Sequence, residues 1–173
     1  MKNTNIDIVQ NLFSESDIEY FLNVINNQVT WENAIVTPEK GYVNWYQRSP
    51  IENFSEYQNI LESFLYNKYG QKYVLSNKGA WINKVSINTN KDDDFHFDNS
   101  DLTIVTFLND NFEGGEFKYI DKNNNEINVK PKKGNSLIMN NKLQHKVSPV
   151  KLGERFSLVC FFKLNKKINK TIL

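Results

Sequence analysis

The chain contains only two histidines. One stands in Asp94-Phe95-His96-Phe97-Asp98-Asn99 and the other in Lys142-Leu143-Gln144-His145-Lys146-Val147. In an extended strand, residues two apart point to the same face. His96 and Asp98 therefore project side by side, one imidazole and one carboxylate. A second imidazole from a facing strand, His145, completes a three-ligand face around a metal ion and leaves coordination positions open. A lone His-x-Asp pair is weak evidence, because histidines are as often surface or satisfied core residues as ligands. A second feature has to decide.

That feature lies ten residues past His145, in Gly153-Glu154-Arg155-Phe156-Ser157. By the same alternation, Arg155 and Ser157 share a strand face with Val159 and Phe161, opposite Phe156, Leu158 and Cys160. An arginine at the exposed start of a strand needs no explanation. One that points with Val159 and Phe161 into a core makes sense when its planar guanidinium grips a carboxylate bidentately. Two imidazoles and a carboxylate with open positions form the facial triad of non-haem iron(II) oxygenases. The open positions suit O2 and a chelating co-substrate.

The elements that must position these residues follow from periodicity. Ser14 and Ser16 precede Asp17 and Glu19 in capping-box spacing, and Ile18, Phe21, Leu22 and Ile25 continue at helical spacing. This predicts a helix over about 15–26. Tyr57, Ile60, Leu61, Phe64 and Leu65 predict a second over about 54–69, with Gly70 as its stop. From about residue 73, short Val-, Ile-, Phe- and Thr-rich runs alternate with turn residues: 73–75, 81–87, 102–108, 116–120, 126–129, 136–139 and 154–164. Asn123-Asn124-Asn125 and Lys132-Lys133-Gly134-Asn135 are the turn clusters, and Gly114-Gly115 reads as a hairpin turn. Such spacing indicates a jelly-roll kind of β core. The expected fold class is α+β, one domain over 1–173. Residues 1–72 are expected to be mainly helical support, 73–164 the β core with the site, and 165–173 a basic tail.

Composition narrows the function classes. A net charge of +1 over 173 residues is not that of a nucleic-acid binder. No run reaches the ~20 apolar residues that span a bilayer. The single cysteine, Cys160, lies in an apolar run and reads as packed core. With no apolar stretch near Met1, a cytoplasmic protein is expected. Asp92-Asp93-Asp94 reads first as a solvated turn and second as an acidic rim for a basic substrate. Trp45, Tyr46 and Arg48 read as a substrate-facing segment or as aromatic packing.

The second half resembles the Fe(II)/2-oxoglutarate-dependent dioxygenase superfamily, most closely its prolyl 4-hydroxylase-like branch. His96-Phe97-Asp98 resembles the His-x-Asp motif, Leu108-Asn109 its Leu-Asn strand end, and Gly114-Gly115 its Gly-Gly turn. Pro131 to Gly134 resembles its Pro…Gly turn, and His145 and Arg155 its distal histidine and co-substrate arginine. The likeness covers about residues 80–164. It implies a double-stranded β-helix braced by the N-terminal helices, with His96, Asp98 and His145 on Fe(II). It implies 2-oxoglutarate as co-substrate, its distal carboxylate on Arg155 and Ser157, and O2 consumed to give succinate, CO2 and a hydroxylated product. The substrate would be a peptidyl residue, possibly prolyl in the family's manner, or a small molecule. Where the branch places a tyrosine near that carboxylate, this chain has Ser86, Ile87 and Phe107. Thr103, Thr106 or Asn83 is then the expected substitute, with Thr103 assigned to the pocket. Two other readings are a catalytically inactive β-helix binding module and a zinc-dependent hydrolase on the same three ligands.

Overall fold

The computed structural model describes residues 6–27, 30–36, 43–51, 53–89 and 94–165. Residues 92, 93 and 166–173, on which the acidic-rim and basic-tail expectations fall, lie outside these, as does the side chain of Trp45. The elements run β1 (Ile6–Val9), α1 (Glu15–Asn27), β2 (Glu32–Val36), β3 (Val43–Pro50), α2 (Ser55–Tyr69), β4 (Tyr73–Ser86), β5 (Leu102–Phe107), β6 (Glu113–Gly114), β7 (Phe117–Ile120), β8 (Glu126–Val129), β9 (Ser136–Asn140), β10 (His145–Val147), β11 (Val150–Leu152) and β12 (Glu154–Leu164).

The largest sheet has the order β1-β9-β5-β12-β4-β3-β2. Facing it are the smaller sheet β10-β7-β8 and the pair β11-β6. All the pairings are antiparallel. From β5 onward the chain crosses repeatedly between the large sheet and the small ones, which winds it into the expected double-stranded β-helix. No helix among the described residues is long and apolar enough to cross a membrane.

Strict alternation gives the large sheet two different faces. Leu102 and Ile104 of β5, Ile138 of β9, and Leu158, Cys160 and Phe162 of β12 pack with Ile18, Phe21, Leu61 and Leu65 of the two helices. Val105 and Phe107, Leu137 and Met139, and Val159 from the same three strands pack on the other side with Phe117 of β7. One face is thus covered by helices and the other lines the barrel interior, which is where a site can sit. Cys160 belongs to the helix-covered face, where burial pushes its thiol pKa up and leaves it a packing residue.

Local chemistry starts α1 and stops α2. Ser14 Oγ accepts from the Asp17 N–H at 3.2 Å, and Asp17 Oδ2 accepts from the Ser14 N–H at 2.8 Å, a reciprocal cap. Gly70, at φ 66°, closes α2 with its N–H on Tyr66 O. Of the expected apolar face of α2, Leu61 and Leu65 are buried and Tyr57 and Phe64 pack against the core, but Ile60 is 46% exposed.

Three expectations are corrected. Residues 1–72 hold more than the two expected helices: β1, β2 and β3 lie there and extend both edges of the large sheet. Their strand state comes from pairing with distant partners such as Met139 opposite Ile6, which no local pattern announces. The runs 73–75 and 81–87 belong to one strand, β4, because both pair with β12 across a bulge between Cys160 and Phe162. Gly114-Gly115 is not a hairpin turn. It is the corner where the chain leaves the partner of β11 and enters the partner of β10. Both glycines have positive φ, and a Cβ on Gly114 would run into the Pro149 carbonyl oxygen.

Candidate active site

His96 and His145 exchange both backbone hydrogen bonds, His96 N–H to His145 O at 2.9 Å and His145 N–H to His96 O at 3.0 Å. In such an antiparallel pair the two side chains leave the same face directly opposite each other. The ring centroids are 4.6 Å apart. With Asp98 two residues on, the three side chains offer two imidazole nitrogens and a carboxylate oxygen within 4.8 Å of one another.

Each imidazole has its orientation fixed from behind. His96 Nδ1 donates to Asp94 O and His145 Nδ1 donates to Leu143 O, both at 3.0 Å. A carbonyl can only accept, so the proton sits on Nδ1 and the Nε2 lone pair is left for a metal. Phe117 stacks on the His145 ring at 5.2 Å. Burial lowers the His145 pKa, more than the nearby Asp98 charge raises it, so this ring is kept in the neutral form that ligates. Asp98 is held by Thr103, whose hydroxyl donates to Asp98 Oδ2 at 2.7 Å and contacts Ser100 Oγ at 2.7 Å.

Arg155 rises from the start of β12 on the same inner face. It is 2% exposed. Its Nη1 donates to Ser157 Oγ at 3.1 Å, while Nε and Nη2 are buried with no hydrogen-bond partner. The guanidinium carbon lies 5.2 Å from the Phe107 ring centroid. Burial lowers its pKa to about 10, so it is still cationic at neutral pH. A buried cation with two unused donors and no carboxylate in ion-pair reach among the described residues is costly to hold. A ligand anion removes that cost.

Arg155 and the three candidate ligands line one cavity of about 110 Å³. The rest of its wall is mostly apolar, with Val105, Met139, Val159 and Phe161 among the contributors. Ser157 lies in this wall, as expected. Thr103, expected beside the co-substrate, is instead spent on Asp98, and Thr106 is hydrogen-bonded to Ser136 at 2.7 Å. Of the three expected substitutes for the family tyrosine, Asn83 alone reaches the wall, together with a phenol, Tyr46 of β3. Tyr46 stood in the sequence as a segment residue of open role. Its place beside Arg155 depends on the pairing of β3 with β4, which leaves no local signal.

Asn109 fixes where β12 begins. Its amide donates to Glu154 O and its carbonyl accepts from the Phe156 N–H, both at 2.8 Å, one residue either side of Arg155. The Leu-Asn strand end thus clamps the arginine strand.

The Thr103 hydroxyl acts on the metal face only through Asp98. Thr103→Val is expected to weaken Fe(II) binding by roughly 10- to 100-fold, the usual cost of losing an outer partner of a ligand. Thr103→Ser should restore it. Equilibrium dialysis of Fe(II) under anaerobic conditions reads both, and equal affinity in Thr103→Val and wild type would remove Thr103 from this role.

Comparison with known proteins places this architecture. Residues 82–163 match the family model of the 2OG-Fe(II) oxygenase superfamily. No curated protein matches the sequence. Among solved structures, an oxidoreductase of the 2OG-Fe(II) oxygenase family from Burkholderia pseudomallei superposes with a TM-score of 0.75 at 16% identity, covering 94% of this chain and 86% of its own. A prolyl hydroxylase from Trichoplax adhaerens, in complex with a hypoxia inducible factor peptide, gives 0.69 at 18% identity, covering 93% and 84%. HygX from Streptomyces hygroscopicus, with nickel, 2-oxoglutarate and hygromycin B bound, gives 0.63 at 14%, covering 93% and 83%. At these identities the likeness establishes the fold. The matched segment runs from the cavity wall on β4 to the strand that carries Arg155, and over that segment the chain is similar to the 2OG-Fe(II) oxygenase superfamily, whose enzymes use Fe(II), 2-oxoglutarate and O2.

Proposed function

We propose that this enzyme couples oxidative decarboxylation of 2-oxoglutarate to hydroxylation of a peptidyl residue or a small molecule. His96, Asp98 and His145 hold the metal, and Arg155 with Ser157 holds the distal carboxylate of the co-substrate. The observation that carries this reading is the buried Arg155, with two unused donors in the same cavity as a ready-made N,N,O ligand face. A zinc hydrolase on those ligands has no use for that arginine. The donor set also suits iron(II), since two imidazoles and one carboxylate leave positions open on one side.

Bound iron supplies activation of O2 and the oxidation of the 2-oxo acid. The protein's residues supply position and dryness. Arg155 fixes the far end of the co-substrate through charge-assisted contacts, so its 2-oxo acid end is directed at the ligand face. Ser157 holds the guanidinium edge in place. Thr103 keeps Asp98 aimed, and the carbonyls of Asp94 and Leu143 keep both imidazoles aimed. Val105, Met139, Val159 and Phe161 keep bulk water from the reacting centre. The Trichoplax relative was solved with a peptide and HygX with hygromycin B, so relatives of this fold present both substrate classes proposed here.

The direct test is anaerobic addition of 2-oxoglutarate to the Fe(II)-loaded protein. Chelation by the 2-oxo acid should produce a visible charge-transfer band that saturates with 2-oxoglutarate. No band, with Fe(II) shown to be bound, would sink the co-substrate assignment.

A further inference from the structure

The inner face of the large sheet continues past the cavity onto β3. Register carries one row of residues across four strands: Arg48 opposite Asn83, Asn83 opposite Ser157, and Ser157 opposite Phe107. At ~4.8 Å per strand, Arg48 sits roughly two strand spacings from Ser157. Asn83 and Tyr46, next to Arg48 in the row and along β3, both line the cavity. Arg48 is therefore the next cation outward from Arg155 on the same face.

Its state is unusual for a structural arginine. The guanidinium lies 4.4 Å from the Trp81 ring centroid. Its Nε is buried with no hydrogen-bond partner. The Glu32 carboxylate faces it, its Oε2 3.9 Å from that Nε, beyond hydrogen-bond distance. The pair is solvent-exposed, at 41% and 59% of the two side chains, and such pairs contribute little. Stacking on an indole holds a guanidinium flat and presents its donor edge with little entropy left to lose. With 41% of its side chain exposed, Arg48 can be reached by a substrate carboxylate from the cavity side.

We propose that Arg48, held on Trp81, reads a carboxylate of the primary substrate, so that the enzyme acts on an acid-bearing molecule or acidic peptide. This rests on the reading of the site above, in which Arg155 is taken by 2-oxoglutarate and the substrate enters beside Tyr46 and Asn83.

The test uses the full chain loaded with Zn(II) and 2-oxoglutarate, which cannot turn over, and follows arginine Nε–H resonances by 15N NMR. Movement of the Arg155 resonance on adding 2-oxoglutarate is recorded first, so failure of the co-substrate reading shows separately. N-acetyl-aspartic acid N-methylamide is then titrated, with the asparagine counterpart and acetate as comparisons. The Arg48 resonance should move saturably with a carboxylate and stay still with the amide. Response to the aspartyl probe alone marks an acidic peptide, and response to acetate as well marks a small acid. Saturation transfer to the probe methyl group should fall at least tenfold in Arg48→Gln and partly return in Arg48→Lys. Equal response to the asparagine probe, no response to either carboxylate, or undiminished binding by Arg48→Gln would each overturn the proposal, leaving Arg48 as a prop for the β2–β3 edge.

Discussion

Arg155→Met is expected to make the ligand-free protein more stable and the enzyme much worse. Arg155 sits in the barrel wall with Nε and Nη2 unpaired, and burial alone lowers its pKa. Replacing a buried, uncompensated charge with an apolar side chain of similar length is neutral to stabilising, by about 1–4 kcal/mol. The same change removes the one arginine or lysine among the described residues that line the cavity. Truncating one partner of a buried charge-assisted pair costs roughly 2–5 kcal/mol, so the KM for 2-oxoglutarate should rise by at least about 30-fold. Thermal melts with and without 2-oxoglutarate, together with KM, read both effects. The wild type should gain stability on adding 2-oxoglutarate and the variant should not. A variant that melts lower and keeps its KM would show that Arg155 is a structural residue.

His145→Ala is the second large effect. It removes one of three ligands, and with it the partner that faces His96 across the bridge and stacks on Phe117. Loss of a mere outer partner costs up to ~100-fold in metal affinity, and loss of a ligand should exceed that. Turnover should fall below detection. The bridge between the two histidines is made by backbone atoms, so it survives the substitution and the strands should stay paired. Anaerobic Fe(II) binding and the far-UV circular dichroism spectrum separate the two roles. Wild-type Fe(II) affinity in a folded His145→Ala protein would contradict the ligand assignment.

Much of this was legible because it depends on short-range alternation. The strand bounds of β8 and β12 coincide with the runs of β-formers, and the inward set Arg155, Ser157, Val159 and Phe161 follows from a period of two. The pairing of His96 with Asp98 on one face is equally local. The parts that were not legible are set by distant partners. β1 and β3 are strands because β9 and β4 pair with them, so a helical reading of the first 72 residues missed both sheet edges. The same pairings bring Tyr46 and Arg48 to the cavity face. Thr103 was assigned to the wrong neighbour for a related reason. Strand alternation gives its face, but the loop that returns Asp98 and Ser100 to it decides which acid it serves.

In the proposed function, one cavity binds iron(II) and 2-oxoglutarate together and turns the co-substrate over. The most direct measurement is succinate formed by the Fe(II)-reconstituted protein on admitting O2, with and without 2-oxoglutarate. Succinate should form in step with O2 uptake, slowly without the primary substrate, and not at all in a preparation whose iron is replaced by Zn(II). Fe(II)-loaded protein that takes up 2-oxoglutarate yet forms no succinate would contradict it, and would favour a β-helix that binds without catalysing.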